Sequence, residues 1–335
     1  MVFSPRWLAP ACLGPPHERL FFAGPVDEVA GTGVTTFVYM VARSDGLFYP
    51  STVGQPWPNP AELPEPHDLA AYWRISSNMK SLAERGLDPL QILIDAAHES
   101  GMEFVASVRL PSYLGLDPSM SYASPLEGGA GMMDGRVLDS HLAILTELAT
   151  AYDTDGVELD LSSGPGGSAP ACRPEDAGEF APMLTSWIGR VAKVVHTRPR
   201  GPRLVGVRVF PTEEMNSAFG FDVETWISAG YVDYVVPVLY CHFVLDPNLD
   251  IRWLTRLTAA NANHCAVYGM LQPYLTSESQ GGDRTTADIY PAIEHIRAAS
   301  ANLYELFGVD GVYSYLHRWP HDGTTYQMLA EIGHP

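Results

Sequence analysis

Lysine is nearly absent from this chain. Only Lys80 and Lys193 occur among 20 basic residues, against 39 aspartates and glutamates, for a net charge of −19. Schiff-base chemistry would have to fall on one of those two, and surface positions are the expected place of both. A surface with this acidic excess repels phosphate backbones, so nucleic acid is not an expected partner. Cysteine is scarce too. Cys12, Cys172, Cys241 and Cys265 form no C-x-x-C pair, so neither a disulfide scaffold nor a zinc cage is expected. No apolar run approaches the roughly 18 residues of a membrane span. The opening stretch lacks the basic-then-apolar layout of a secretory signal, which makes the cytoplasm the expected setting, without a membrane partner. The sequence says nothing about oligomeric state.

With 335 residues and 46% hydrophobic content, the chain can bury a large core. Apolar runs alternate with amphipathic stretches. Eight runs read as buried strands: Leu20–Ala23, Thr35–Val41, Glu103–Leu110, Gly156–Leu161, Arg203–Phe210, Tyr234–Tyr240, His264–Gln272 and Gly311–Leu316. Asp88-Pro89 opens a helix that Gly101 stops, Leu138 to Tyr152 carries a second stripe, and Phe180 to Val195 a third. Asp222 caps a short helix ending at Gly230. Helix-to-strand links are short, whereas strand-to-helix links such as Ala42–His67, Pro111–Gly135 and Ser162–Arg173 are long. All elaborate loops therefore gather on one face of the sheet, as at the C-terminal face of a (β/α)8 barrel. An open, doubly wound sheet should instead show a Gly-rich phosphate turn after its first strand, and none is present. The expected fold is a single-domain α/β TIM barrel over residues 18–335, preceded by an N-terminal extension of residues 1–17.

The fourth predicted strand carries the sharpest chemistry. Alternation along Gly156–Leu161 puts Glu158 and Asp160 on one face and Val157, Leu159 and Leu161 on the other. If the apolar set meets the helices, both carboxylates enter the barrel lumen, with Asp160 nearer the C-terminal rim. Arg109 on the third strand and Arg208 on the fifth supply counter-charges, since buried charges persist only when paired. Ser107 shares a face with Arg109, as Gly206 does with Arg208. Asp153 and Asp155 precede the strand at the opposite end, where a turn rather than a calcium loop is expected. Glycosidic hydrolysis needs a second acid, and Glu213 and Glu214, just past the fifth strand, are the nearest candidates. Tyr240, His242, Gln272, Tyr315 and His317 crowd three successive strand ends, where aromatic faces and polar tips suit a sugar ring. Trp57, in the loop after the second strand, could close over them. His242, His317 and His321 show no metal-ligand spacing, so no metal and no cofactor is expected.

Several of these segments resemble the bacterial "glycosyl hydrolase family 10-like" barrel proteins. The matching stretches are Leu87–Leu90, Ala96–Arg109, Tyr152–Leu161, Gly206–Val209, Gly220–Trp226, Val232–Pro237 and Asp310–Tyr313. The resemblance runs from about residue 20 to 330. It implies a TIM barrel acting on carbohydrate, with the strand-four acids and Arg109 in its site. Two departures stand out. Leu110-Pro111-Ser112 replaces an Asn-Asp pair after the arginine, and Leu161-Ser162-Ser163 replaces an aromatic residue and an arginine after the acid. A chitinase-like DGxDxDxE pattern also aligns loosely on Asp155, Glu158 and Asp160, but its final Glu falls on Ser162, which argues against substrate-assisted chemistry. The expected activity is glycoside hydrolysis of an oligo- or polysaccharide, with an anionic sugar suggested by the arginines. A lyase or isomerase using Tyr240, His242 and His317 and a catalytically silent sugar-binding barrel remain as alternatives. The glycine-rich loops Pro111–Gly135 and Ser162–Arg173 are expected to order over bound sugar.

Overall fold

The computed structural model describes residues 2–3, 18–43, 46–56, 69–112, 131–161, 171–201, 203–238, 250–271, 293–316, 327 and 329–330. Among them nine strands form one sheet: β1 (Val2–Phe3), β2 (Thr36–Arg43), β3 (Gly46–Leu47), β4 (Glu103–Arg109), β5 (Gly156–Asp160), β6 (Leu204–Val209), β7 (Tyr234–Pro237), β8 (Ala266–Leu271) and β9 (Gly311–Leu316). Eight are parallel to their neighbours in the order β1-β9-β8-β7-β6-β5-β4-β2, and β1 also pairs with β2, which closes a barrel. β3 folds back antiparallel on β2. The fold is a single-domain TIM barrel.

Nine helices are described: α1 (Glu18–Asp27), α2 (Leu69–Glu84), α3 (Pro89–Glu99), α4 (Gly135–Ala151), α5 (Ala177–His196), α6 (Glu213–Ala218), α7 (Val223–Ser228), α8 (Arg252–Ala260) and α9 (Ile293–Glu305). Their starts follow the sequence signals. The Leu90 amide donates to Asp88 Oδ1 at 2.9 Å, with Pro89 in the first turn, and the Thr225 amide donates to the Asp222 carboxylate at 3.1 Å. Along α5, Phe180, Leu184, Trp187, Ile188, Val191 and Val195 are buried as one stripe.

The first strand is placed differently from the sequence expectation. Leu20–Ala23 lies inside α1, where Phe22, Ala23 and Val26 are buried at helical spacing. A four-residue apolar run is compatible with either element, and here α1 packs along α3. The barrel position between β9 and β2 is taken by Val2–Phe3, within the stretch read as an extension.

Strand alternation divides the core in two. Phe37, Tyr39, Phe104, Val157, Leu159, Val205 and Val207 face the helices. Val38, Val105, Tyr234, Val236, Met270 and Tyr313 fill the lumen. At the N-terminal end of the barrel one device recurs three times. Asp155 donates its amide to the Phe104 carbonyl and accepts the Phe104 amide on Oδ2 at 2.9 Å. Asp233 clamps Val205 in the same way, and Asp310 clamps Val267. His98 Nε2 lies 2.7 Å from Asp155 Oδ2, and His196 Nε2 lies 2.8 Å from Asp233 Oδ2. The Asp153–Asp155 stretch is thus a structural turn, as expected, and Asp153 also pairs with Arg198 and Arg203.

Outside the barrel, Glu147 of α4 anchors the chain that follows β3. It accepts the Tyr49 hydroxyl at 3.0 Å, the Ser51 hydroxyl, the Thr52 amide at 2.7 Å and the Thr52 hydroxyl at 2.6 Å. Burial alone would raise this carboxyl, but the hydrogen bonds from Ser51, Thr52 and Tyr49 outweigh it and hold the group below its ordinary 4.5. Its contribution to stability is therefore present above that ordinary value and lost as pH falls through the lowered one. Glu147→Gln should cost about 1 kcal/mol at neutral pH, the figure being kept small by solvent screening. Thermal melts across the acid range should show the gap between variant and parent closing as the pH drops.

Candidate active site

β4, β5 and β6 run side by side in one register, with Ser107 beside Glu158 beside Gly206, and Arg109 beside Asp160 beside Arg208. The alternation read from the sequence holds: these residues point into the lumen, while Val157, Leu159 and Leu161 pack in the helix-facing core. Asp160 stands at the C-terminal end of β5 with Glu158 one layer below it.

The two layers differ in how they are closed. Glu158 is fully buried and accepts the Ser107 hydroxyl at 2.7 Å, the Arg208 Nε–H at 2.8 Å and the Tyr313 hydroxyl at 2.8 Å. The Tyr234 hydroxyl reaches Oε2, the oxygen that also takes the 2.8 Å bond from Tyr313, at 3.3 Å. Arg208, also fully buried, donates through Nη1 to Asp160 at 3.1 Å and through Nη2 to the Tyr313 oxygen at 2.7 Å. Its guanidinium carbon lies 5.3 Å from the centre of the Tyr313 ring. Arg109 reaches Asp160 Oδ2 through Nε at 3.0 Å, and its side chain is 16% exposed while those of the other three charged groups are closed off. Burial pushes both phenols well above their ordinary value, with the Glu158 charge adding to it and Arg208 opposing, so each stays protonated as a donor.

The sequence reading does not single out Tyr234 and Tyr313, although the same alternation that turns Glu158 inward turns Tyr234 inward two strands further on. Gly206 explains how the ring fits. It stands beside Tyr234 in the strand register, and a Cβ there would fall 1.9 Å from the ring carbon Cζ. The missing side chain is the space the tyrosine occupies on its way to Glu158.

Glu213 and Glu214 occupy the first turn of α6, capped by Thr212, and both are exposed. Glu213 lines a surface groove with Trp253 and Leu257. Tyr315 lies on β9 in register with Val2. Trp57, Tyr240, His242, Gln272 and His317 lie outside the described residues, as do most of the two glycine-rich loops. Among the described residues no group of His, Cys, Asp or Glu is gathered to hold a metal ion, and no helix is long and apolar enough to cross a membrane.

No protein-family model matches the chain, and no curated protein does. Solved structures match its fold. α-L-Fucosidase isoenzyme 2 of Paenibacillus thiaminolyticus superposes with a TM-score of 0.56 at 12% identity, over 99% of this chain and 48% of that one, so the chain spans about half the fucosidase. A class V chitinase of Pseudomonas fluorescens Pf-5 gives 0.52 at 12%, over 98% of both chains. GH5_18 of Bifidobacterium longum subsp. infantis gives 0.56 at 11%, over 99% of this chain and 77% of that one. The chain shares the barrel fold of glycoside hydrolases of several families, and no family model supports the family 10-like resemblance in particular.

The lumen packing makes a direct test. Gly206→Ala should destabilise the protein by about 1–3 kcal/mol, the usual cost of forcing extra volume into a packed core. Shrinking the neighbour should relieve it. In urea unfolding, Gly206→Ala combined with Tyr234→Leu should be less destabilised than the sum of the single changes. Additive losses would contradict the proposed packing of ring against glycine.

Proposed function

We propose that this protein is a glycoside hydrolase acting on an oligo- or polysaccharide at the C-terminal mouth of the barrel, with Asp160 as its principal carboxylate. The observation that carries the reading is the position of Asp160. It ends the fourth barrel strand, the end where barrel enzymes do their chemistry, between guanidinium groups supplied by both neighbouring strands. Two cations 3.0 and 3.1 Å away favour the anionic carboxylate. An anion so held suits attack on an anomeric carbon or activation of water, and not proton donation. Glu158, with hydrogen bonds from Ser107, Arg208 and two tyrosines, fixes Arg208 and through it Asp160. It acts as a positioning residue. The fold held in common with a fucosidase and a chitinase supports carbohydrate as the substrate class. Ser162 stands where the chitinase-like pattern has its acid, so the reading does not extend to substrate-assisted hydrolysis.

The proton donor is proposed as Glu213 or Glu214, which follow the neighbouring strand. An anionic sugar is no longer favoured by the arginines, because the two guanidinium charges face two carboxylates and the cluster balances. A sugar-binding barrel without turnover is the second reading, favoured by the full burial of the Asp160 side chain. The two part in one experiment. Purified protein on a panel of polysaccharides, followed by reducing ends, should release product from at least one. On that substrate Asp160→Asn should lower kcat by about 10²- to 10⁴-fold, the range of a lost general base or nucleophile. Full turnover in the variant would remove Asp160 from the mechanism. Saturable glycan binding with no product over days would establish the second reading. Glu213→Gln and Glu214→Gln identify the donor, since its loss should spare substrates whose leaving group needs no proton.

A further inference from the structure

In the closed barrel β5 and β9 stand opposite each other, separated by β6, β7 and β8 on one side and by β4, β2 and β1 on the other. Tyr313 of β9 bridges that gap. It is buried, and its hydroxyl meets Arg208 Nη2 at 2.7 Å and Glu158 Oε2 at 2.8 Å. A guanidinium has no lone pair to accept with. The Arg208 bond therefore uses the phenol oxygen as acceptor and leaves the phenol proton for Glu158. The hydroxyl of Tyr313 has one direction only.

The bonds of Arg208 to the two carboxylates both run to β5. Nε donates to Glu158 Oε1 at 2.8 Å and Nη1 to Asp160 Oδ2 at 3.1 Å. Two acceptors on one strand define a line about which a planar guanidinium can still pivot, and an acceptor from the opposite wall fixes the plane. Nη2 also lies 2.8 Å from Glu158 Oε1. Without the phenol oxygen, Nε and Nη2 would turn together onto Glu158 as a bidentate pair, a strong arrangement for arginine and carboxylate. Nη1 would then be drawn away from Asp160, whose bond is the longest of the three. Tyr234 provides the contrast. Its hydroxyl reaches the same Glu158 oxygen at 3.3 Å, but the bonds of Arg208 to Glu158, Asp160 and Tyr313 do not involve it.

We infer that Tyr313 is a positioning residue for Asp160: through Arg208 it ties that carboxylate to the opposite wall of the barrel. The energetic coupling between the two residues follows from the geometry alone. Its consequence for turnover rests on the hydrolase reading.

Urea unfolding of Asp160→Asn, Tyr313→Phe and the double variant measures the coupling. The loss in folding constant of the double variant should be about fivefold smaller than the product of the two single losses, as for residues that share a partner. The same cycle with Tyr234→Phe in place of Tyr313→Phe should be multiplicative. Replacement of Tyr313 by para-aminophenylalanine keeps the ring and a donor for Glu158 but offers Arg208 only a poor acceptor. It should reproduce the coupling, and it serves the cycle if Tyr313→Phe does not fold. Multiplicative losses at Tyr313, or equal coupling at Tyr234, would overturn the proposal whether or not a substrate is found. On a polysaccharide that the protein hydrolyses, Tyr313→Phe should lower kcat about 10- to 100-fold, as displacement of a reacting group does, with KM little changed. In the Asp160→Asn background the same change should alter the residual rate by less than about twofold. An unchanged kcat, or a second loss of the same size in that background, would overturn the role of Tyr313 and leave the hydrolase reading in place. No product from any polysaccharide would count against that reading alone, and the unfolding cycles would still decide the coupling.

Discussion

Two carboxylates enter the lumen of this barrel, and the structure depends on what neutralises them. Placing Glu158 and Asp160 inward follows from strand alternation alone, since the residues between them are needed against the helices. Their solvation is then lost, and a buried ion survives only if charge and hydrogen bonds replace the water. Arg208 supplies both. One guanidinium spans two layers, bonding Glu158 below and Asp160 at its own level. Removing such a shared cation would strand Glu158 and leave Asp160 with Arg109 alone, a change of the kind that costs about 3–5 kcal/mol per broken buried pair. Tyr313 completes the arrangement by accepting from Arg208 and donating to Glu158. Every neighbour of β5 thus carries a residue that exists to satisfy it.

The same arrangement separates a closed layer from an open one. Around Glu158 the acceptors are met by Ser107, Arg208 and two phenols, and the layer is sealed by Tyr234 folded over Gly206. One level higher the partner on β4 is Arg109, the one charged member whose side chain keeps some exposure. A rigid lower layer suits the role proposed for Asp160, because Arg208, which helps set its position, is itself fully buried and fixed by Glu158 and Tyr313.

How much of this was legible in the sequence follows from the periods involved. A period of two along Gly156–Leu161 was enough to turn both acids inward and to name Arg109 and Arg208 as their partners. The tyrosines were harder. Tyr234 and Tyr313 read as strand-formers in apolar runs, and only the register between strands brings their hydroxyls to Glu158. Sequence shows alternation within a strand but not its stagger against the next. Leu20–Ala23 failed for a different reason, since four apolar residues fit one helical turn as well as a short strand. The strand that replaces it, Val2–Phe3, has two residues and so no period at all. The three aspartates of the N-terminal clamps were visible as letters before strands, in Asp155-Gly-Val, Asp233-Tyr-Val and Asp310-Gly-Val, yet their shared bond to the preceding strand exists only once the barrel closes.

These clamps bear on why the two ends of the barrel can serve different ends. At the N-terminal face each clamp ties a strand entry to its neighbour through a side chain as well as the backbone, which fixes the stagger where the strands begin. A fixed stagger is what places Ser107, Glu158 and Gly206 in one layer and Arg109, Asp160 and Arg208 in the next. An error of one residue at a strand entry would turn that strand's inward set to the helices and leave the acids without partners. The carboxylates that face solvent at the bottom of the barrel therefore secure the register, and the register delivers the carboxylates that are buried near the top. Charge at one end is spent on geometry so that charge at the other end can be held where no water compensates it.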